Sequence, residues 1–398
     1  MILTTPAPQV LDGVRVLDLG SFITAPYAAM LLAEMGADVV KVERPGAGDP
    51  FRAFNGGLYS SHFQAHNRNK RSITLNTKEA ADLARFDDLI READVYIQNF
   101  RPGVAEHIGA GRERLQKINP RLIYCAISGF GPTGPYADRP SYDSVAQAVS
   151  GFLGLLINPG NPRVVGPALA DALTGFYAAY GILGALHERH ATGIGRQVEV
   201  SMMEAMTHFN LDAFTHLFSA DEVVGPYSRP SVSQSYVLEC ADGLWIALHM
   251  SSPPKFWEGL ATAMERHDIF EDPRFATRQA RIDNQEALMH VLAAIFKLQP
   301  RAVWCERLAA LDVPHAPMYT SAEVPQDPQA QHLQLFVDAP HPVAGTFRTV
   351  RSPVSYDGER SLAVTAPPLL GQHNAEFAAG WAARPSYLQA PAANEGKV

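Results

Sequence analysis

Over residues 13–129 the chain alternates between strand-like and helix-like runs, and this alternation constrains its fold more than any other feature. GVRVLDLGSFITAPYAAMLLAEMGADVVKVE (13–43) reads as a strand, a loop, a helix near Pro26 that stops at Gly36, and a second strand. Proline suits a helix's first turn and glycine its end. RSITLN (71–76), the helical KEAADLARFDDLIREA, ADVYIQN (93–99), a short helix after Arg101-Pro102-Gly103, and RLIYCAISG (121–129) continue the pattern. Strands separated by crossover helices run parallel. The expectation is an α/β, doubly wound, Rossmann-like large domain with its ligand site beyond the strand C-termini.

Two helical runs follow, Asp143–Ile157 and Asp171–His190, the second carrying small residues (Gly175, Ala178, Ala179, Gly181, Gly184, Ala185) that suit close packing, and then a strand, RQVEVSM (196–202). From Gly225 the character changes. SYVLECADGLWIALHM is patterned as an antiparallel hairpin around Ala241-Asp242-Gly243, and a mostly helical stretch follows. We expect a smaller α+β domain over 225–325, inserted into a large domain formed by 1–224 and by 326–398, where FVDAP and FRTVRSPVSY bring the chain back. Only the tail from about Ala383 reads as weakly structured.

With 41 acidic against 33 basic residues the net charge is −8, which argues against a general nucleic-acid binder. The basic cluster Arg68-Asn69-Lys70-Arg71 could still hold a phosphate. Cys125, Cys240 and Cys305 lie far apart in no metal-ligand or disulfide-framework spacing, pointing to reduced thiols in a cytoplasmic setting and to no metal. The N-terminal MILTTPAPQVLDG lacks a basic start before an apolar run, and no apolar stretch reads as long and uninterrupted enough to cross a membrane.

Glu43, ending the second strand, invites a nicotinamide-cofactor reading. The first loop, LGSFITAP, contradicts it, because Gly20 lacks the further glycines that let backbone approach a pyrophosphate. Ser128-Gly129-Phe130-Gly131 only partly imitates a nucleophile elbow. Gly129–Pro135 is a turn-rich loop at a strand C-terminus, a place that suits either chain reversal or ligand contact.

PALADALTGFYAAYGIL (167–183) carries a single charged side chain, Asp171, and no other Asp, Glu, Lys or Arg lies between Arg163 and Glu188. On local grounds Asp171 is a helix N-cap, where the positive end of the helix dipole favours an acid.

LDGVRVLDLGSFITAPYAAMLLAEMGADVVKVERPGAGDPFR, NRNKRSITLN, ADVYIQNFRPG, NPRLIYCAISGFGPTGPYADRPSYD, ADALTG and GIGRQVEVSMMEAM, taken in order, resemble the class III CoA-transferase family of the formyl-CoA and carnitine type. The likeness is strongest over residues 11–206, and APPLLGQHNAEF (366–377) resembles the family's C-terminal segment. The resemblance implies an interlocked homodimer that uses acyl-CoA and a small carboxylic acid, with Asp171 as the catalytic nucleophile. It implies CoA contacts at Phe22, Ile23 and Thr24 in the first loop, at Arg44, Leu75, Asn99 and Phe100, and at His107, where the family commonly has a basic residue. Tyr142 and Asp143 match a Tyr–acid pair near the thioester. By their residue types alone, Leu75 is equally a core side chain and Arg44 a solvated strand end.

Two departures from the family stand out. Its glycine-rich mobile loop is absent from GPYSRPSVSQSY (225–236), which puts a donor or lid there in doubt and leaves Gln147 as a residual candidate contact. Its racemase branch pairs the Asp with a His in a G-H-D-like motif, whereas this chain has Pro140-Ser141-Tyr142-Asp143. An acyl-CoA racemase or isomerase is therefore the second reading. A CoA- or nucleotide-binding protein without catalysis is the third.

Overall fold

The computed structural model describes residues 9–251, 253–341, 343, 345–360 and 364–383, so the tail expected to be weakly structured lies outside it. The chain divides into two compact units. One ends at Leu153, resumes over Val164–Leu211 and again from His332; the other comprises Gly154–Arg163 and Asp212–Gln331.

The larger unit runs β1 (Arg15–Asp18), α1 (Thr24–Glu34), β2 (Asp38–Glu43), α2 (Ser61–His66), β3 (Lys70–Thr74), α3 (Ala80–Glu92), β4 (Val95–Gln98), α4 (Val104–His107), α5 (Arg112–Ile118), β5 (Ile123–Ser128), α6 (Asp143–Val149), α7 (Leu169–Thr192), β6 (Gln197–Ser201) and α8 (Met202–Phe209). Its six strands form a parallel sheet in the order β3-β2-β1-β4-β5-β6. Successive residues of a strand face opposite sides. Accordingly Val16, Val39, Val95 and Ile97 pack with Ala28 and Ala29 of α1 and Ala178 and Ile182 of α7. Leu17, Val40, Ile73 and Tyr96 pack with Phe86 and Leu89 of α3 and Leu115 of α5. Each large apolar side chain so buried contributes about 1.5–3 kcal/mol.

Helix α7 meets α1 closely because Gly175 has no side chain: a Cβ there would stand 2.6 Å from the Thr24 carbonyl oxygen. At Gly184 the same atom would meet nothing within 4 Å, so the small-residue face packs over only part of its length. At 24 residues α7 is long and apolar enough to cross a membrane by length and composition, which corrects the expectation that no stretch is. In the fold its inner face is core.

The sheet also buries charge that the sequence pattern does not announce. Lys70 pairs with Asp18 at 2.8 Å, Arg71 with Asp38 at 2.5 Å, and Arg68 with Glu34. The basic cluster is therefore internal, and the expectation that it could hold a phosphate is corrected. Glu43 accepts from Arg52 Nε and Nη2 (both 2.7 Å), from Ser72 Oγ (2.7 Å) and from the Asp49 amide (3.0 Å). Burial alone would raise its pKa, but Arg52 and Lys41 hold it below the usual carboxylate value.

The open edge of β3 is covered by the C-terminal segment. The His373 amide donates to the Ser72 carbonyl at 2.9 Å, the Ser72 amide to His373 Nδ1 at 3.0 Å, and Phe377 enters the core. Such covering blocks edge-to-edge pairing.

In the smaller unit β7 (Ser235–Glu239), β8 (Trp245–His249) and β9 (His315–Pro317) form an antiparallel sheet, β7 and β8 being the hairpin around Ala241-Asp242-Gly243. Its core includes Ile246, Leu248, Trp257, Phe296 and Trp304, the last two rings stacked at 4.4 Å. Helix α9 (Leu211–Ala220) leads into it, followed by α10 (Ser228–Ser233). Strands β10 (Phe336–His341) and β11 (Gly345–Val350) form a hairpin in the larger unit.

Candidate active site

In an open parallel sheet, connections leave in opposite directions on either side of one strand pair, and a crevice opens beyond the C-termini there. Here the pair is β1 and β4. The loop after β1 and the residues after β4 are joined across it. The Ser21 amide donates to Asn99 Oδ1 at 2.9 Å, and Asn99 Nδ2 donates to the Ser21 carbonyl (2.8 Å) and to Thr24 Oγ1 (2.9 Å). Phe22 is held in the left-handed region at φ 64°. Its ring stands edge-on to Phe51 at 5.2 Å and to Tyr142 at 6.3 Å.

Tyr142 immediately precedes α6, and the first residue of that helix, Asp143, reaches α7. Asp143 Oδ1 accepts the amide hydrogens of Ala170 at 2.7 Å and of Asp171 at 3.3 Å. Helix N-terminal amides lack partners within the helix and need an acceptor. The N-cap position of α7 is Ala168, which supplies none. Asp171 is thus not the cap that its local sequence suggests. It lies in the first turn, and a carboxylate from another helix caps in its place.

Asp143 Oδ2 accepts from Gln147 Nε2 at 2.6 Å, while Gln147 Oε1 is buried with no hydrogen-bond partner among the described residues. Asp171 itself is half-buried. Burial, and then the neighbouring Asp143 carboxylate, push its pKa up to about 7, against the helix dipole, which favours the ionised form. A carboxylate so destabilised is more basic and a stronger nucleophile than an ordinary surface aspartate.

The structure thus brings together Phe22, Thr24 and Asn99 beyond the C-terminal ends of β1 and β4, with Ile23 at the N-cap position of α1, and links Phe22 through Tyr142 and Asp143 to Asp171. The close approach of Gly175 to Thr24 ties the head of α7 to the same loop. Leu75 is a core side chain, and its amide donates to the Glu43 carbonyl at 2.9 Å. Arg44 and His107 are exposed at the ends of β2 and α4. Phe100 lines a cavity of about 240 Å³ that runs along β5 and β6 from Tyr124 and Gln197 to Ser128 and Ser201 and reaches Gln98 at the end of β4. Asp171 is not among its lining residues, so the site assembled here rests on the first loop and the head of α7.

The expected absence of a glycine-rich loop has a structural counterpart. Residues 228–233 are helical, and Gln234 ends the helix at φ 48°. Gln234 is buried, accepting from Arg281 Nε at 2.8 Å and donating to the Ser251 carbonyl at 3.0 Å. Asp18, Lys41 and Asp49 lie beneath the first loop, and no local motif marks them, because Asp18 meets Lys41 and Lys70 only in the fold. Among the described residues, no three His, Cys, Asp or Glu side chains gather as a metal site requires.

Residues 11–374 match the model of CoA-transferase family III. The chain is 34% identical to the formyl-CoA:oxalate CoA-transferase of Streptomyces avermitilis, over 94% of this chain and 95% of that one. It is 30% identical to the succinyl-CoA:glutarate CoA-transferase of Homo sapiens, over 91% of this chain and 84% of the relative. Among solved structures, a CAIB/BAIF family protein from Brucella suis superposes with a TM-score of 0.84 at 32% identity, covering 94% of this chain and 99% of that protein.

Proposed function

Because the chain belongs to CoA-transferase family III, an enzyme family whose members use acyl-CoA as substrate, we propose that it moves CoA from an acyl-CoA donor to a small carboxylic acid through covalent intermediates on Asp171. The observation that carries this reading is the carboxylate of Asp171, half-buried in the first turn of α7 and raised to about 7. The relatives' substrates direct the choice of acids: succinyl-CoA as donor and a dicarboxylic acid of the oxalate or glutarate type as acceptor.

In this reaction an Asp171 oxygen attacks the donor thioester carbonyl, the carbon–sulfur bond breaks, and CoA leaves as thiolate with a mixed anhydride formed. The thiolate then attacks the aspartyl carbonyl, releasing the donor acid and leaving an aspartyl-CoA thioester. The acceptor carboxylate attacks that thioester, giving a second anhydride and free thiolate. Attack of the thiolate on the acceptor carbonyl yields the new acyl-CoA and restores Asp171. No net proton is exchanged.

Phe22, Ile23, Thr24, Arg44, Leu75, Asn99, Phe100 and His107 are assigned to CoA, and Tyr142 and Asp143 to the thioester end. The hydrogen bonds that join the first loop to Asn99 beyond the ends of β1 and β4 support this assignment. The same reading takes 225–325 as an inserted smaller domain and the active species as a cytoplasmic homodimer. The exposed apolar rings of Phe176 and Tyr180 on α7 favour a covering partner.

The test is to incubate the protein with succinyl-CoA and a panel of mono- and dicarboxylates and to separate the CoA products. A new acyl-CoA is expected with at least one acceptor, and none with Asp171→Ala. Turnover by that variant contradicts the reading. So does solvent deuterium entering the acyl α-carbon while CoA stays with its original acid, which is the racemase outcome.

A further inference from the structure

Every polar backbone group from the Gly20 amide to the Phe22 amide is held by a side chain. Gly20 N donates to Asp18 Oδ1 at 2.8 Å, and the Gly20 carbonyl accepts from Lys41 Nζ at 2.8 Å. Asn99 holds both groups of Ser21. The Phe22 amide donates to Asp49 Oδ1 at 3.2 Å, and the same oxygen accepts from the Phe51 amide at 2.9 Å.

Asp18, Lys41 and Asp49 are all buried. Lys41 Nζ lies 3.0 Å from Asp49 Oδ2 and 3.7 Å from Asp18 Oδ2, and Lys70 Nζ lies 2.8 Å from Asp18 Oδ2. Two carboxylates thus face two ammonium groups without solvent. Burial favours neutral Lys41, but Asp18, Asp49 and Glu43 outweigh it and leave the ammonium more firmly protonated than a free lysine.

Buried ion pairs seldom stabilise a fold more than apolar residues of the same volume, so one retained beneath a loop calls for another role. The loop above it supplies a reason. A phenylalanine at φ 64° is in a conformation that L side chains avoid, and it persists only where its surroundings over-determine it. The result is a ring placed between Phe51 and Tyr142, beyond the C-terminal end of β1.

We propose that Asp49, paired with Lys41, is a positioning residue for acyl-CoA: the pair fixes the left-handed turn at Phe22 and so presents the first loop to the ligand. This rests on the reading of the crevice as the CoA site. Asp49 contacts the loop and not the reacting atoms, so its loss acts on acyl-CoA binding and leaves the transfer steps in place.

The experiment measures kcat and both KM values, together with the melting temperature, for the full-length protein and for Asp49→Asn. The expected result is a KM for acyl-CoA raised about tenfold or more, with kcat and the acceptor KM within about threefold. In a Phe22→Gly background, which frees the turn from strain and removes the ring, Asp49→Asn should change KM by less than about twofold, because its effect passes through Phe22. Should Asp49→Asn fail to fold, Lys41→Met combined with Asp49→Leu removes both charges together and is expected to raise the same KM. An unchanged acyl-CoA KM in a folded variant overturns the proposal, as does a fall in kcat with both KM values shifting alongside the melting temperature. A wild-type protein that turns over no acyl-CoA and shows no heat of CoA binding overturns the functional reading beneath it, which separates the two failures.

Discussion

Asp143 caps the helix that carries Asp171, its Oδ1 accepting the amide hydrogens of Ala170 at 2.7 Å and of Asp171 at 3.3 Å. One carboxylate therefore both fixes where α7 begins and places negative charge beside another carboxylate. The first effect orients Asp171. The second raises its pKa.

With Asp171 near 7, the attacking carboxylate is protonated at low pH and ionised above neutrality. The kcat/KM for acyl-CoA should therefore rise with pH and level off above an apparent pKa near 7, which a pH–rate profile of the free enzyme reads directly. Asp143→Asn keeps a capping oxygen but removes the charge, so ionisation of Asp171 becomes easier and the profile should move about one unit toward acid. A profile that stays in place contradicts the charge coupling.

The same shift has a stability consequence whose sign is fixed. A carboxyl whose folded pKa lies above its unfolded value contributes stability that is fully present below the unfolded value and lost as pH rises through the folded one. Asp171→Asn removes that loss. The variant should be more stable than wild type by about 1–3 kcal/mol at pH 8, with the advantage gone below about pH 4, as measured by urea unfolding at the two pH values.

How far this site is legible in the sequence depends on the separation of its parts. The βα alternation, Asp171 within an apolar segment, and the loop after the first strand all follow from runs of a few neighbouring residues. The cap on α7 does not, because Asp143 and Ala170 are 27 residues apart. Lys41 sits mid-strand in DVVKVE with no sequence neighbour to mark its role, and it is fully buried because Asp18 and Asp49 meet it there. The run expected as a helix from Asp143 to Ile157 stops at Val149, and Gly151 takes φ 78°, a geometry that ends helices. GPYSRPSVSQSY lacks the family's glycines, and the helix it forms is anchored by Arg281, 47 residues after Gln234.

Packing of α7 on α1 should be sensitive at one glycine and indifferent at another. Gly175→Ala forces a Cβ against the Thr24 carbonyl and should destabilise the fold by about 1–3 kcal/mol while lowering activity, since it moves the head of α7 relative to the first loop. Within its own protomer Gly184→Ala meets nothing within 4 Å and should leave the packing of α7 on α1 untouched; because Gly184 shares a face with Phe176 and Tyr180, a lowered melting temperature would come from the proposed partner.

Arg52 and Glu43 form a buried pair with two 2.7 Å bonds. Arg52→Met leaves the Glu43 carboxylate buried without its guanidinium and should cost about 3–5 kcal/mol. Glu43→Gln combined with Arg52→Met should recover part of that loss, which thermal melts of the single and double variants would show.

The central claim is that Asp171 becomes covalently acylated. The most direct measurement mixes the protein with a turned-over acyl-CoA, quenches with hydroxylamine, and examines the peptide spanning residue 171 by mass spectrometry. The account predicts an aspartyl hydroxamate at Asp171, dependent on the acyl-CoA and absent when the donor is omitted. Sustained CoA transfer with that peptide unmodified would contradict it.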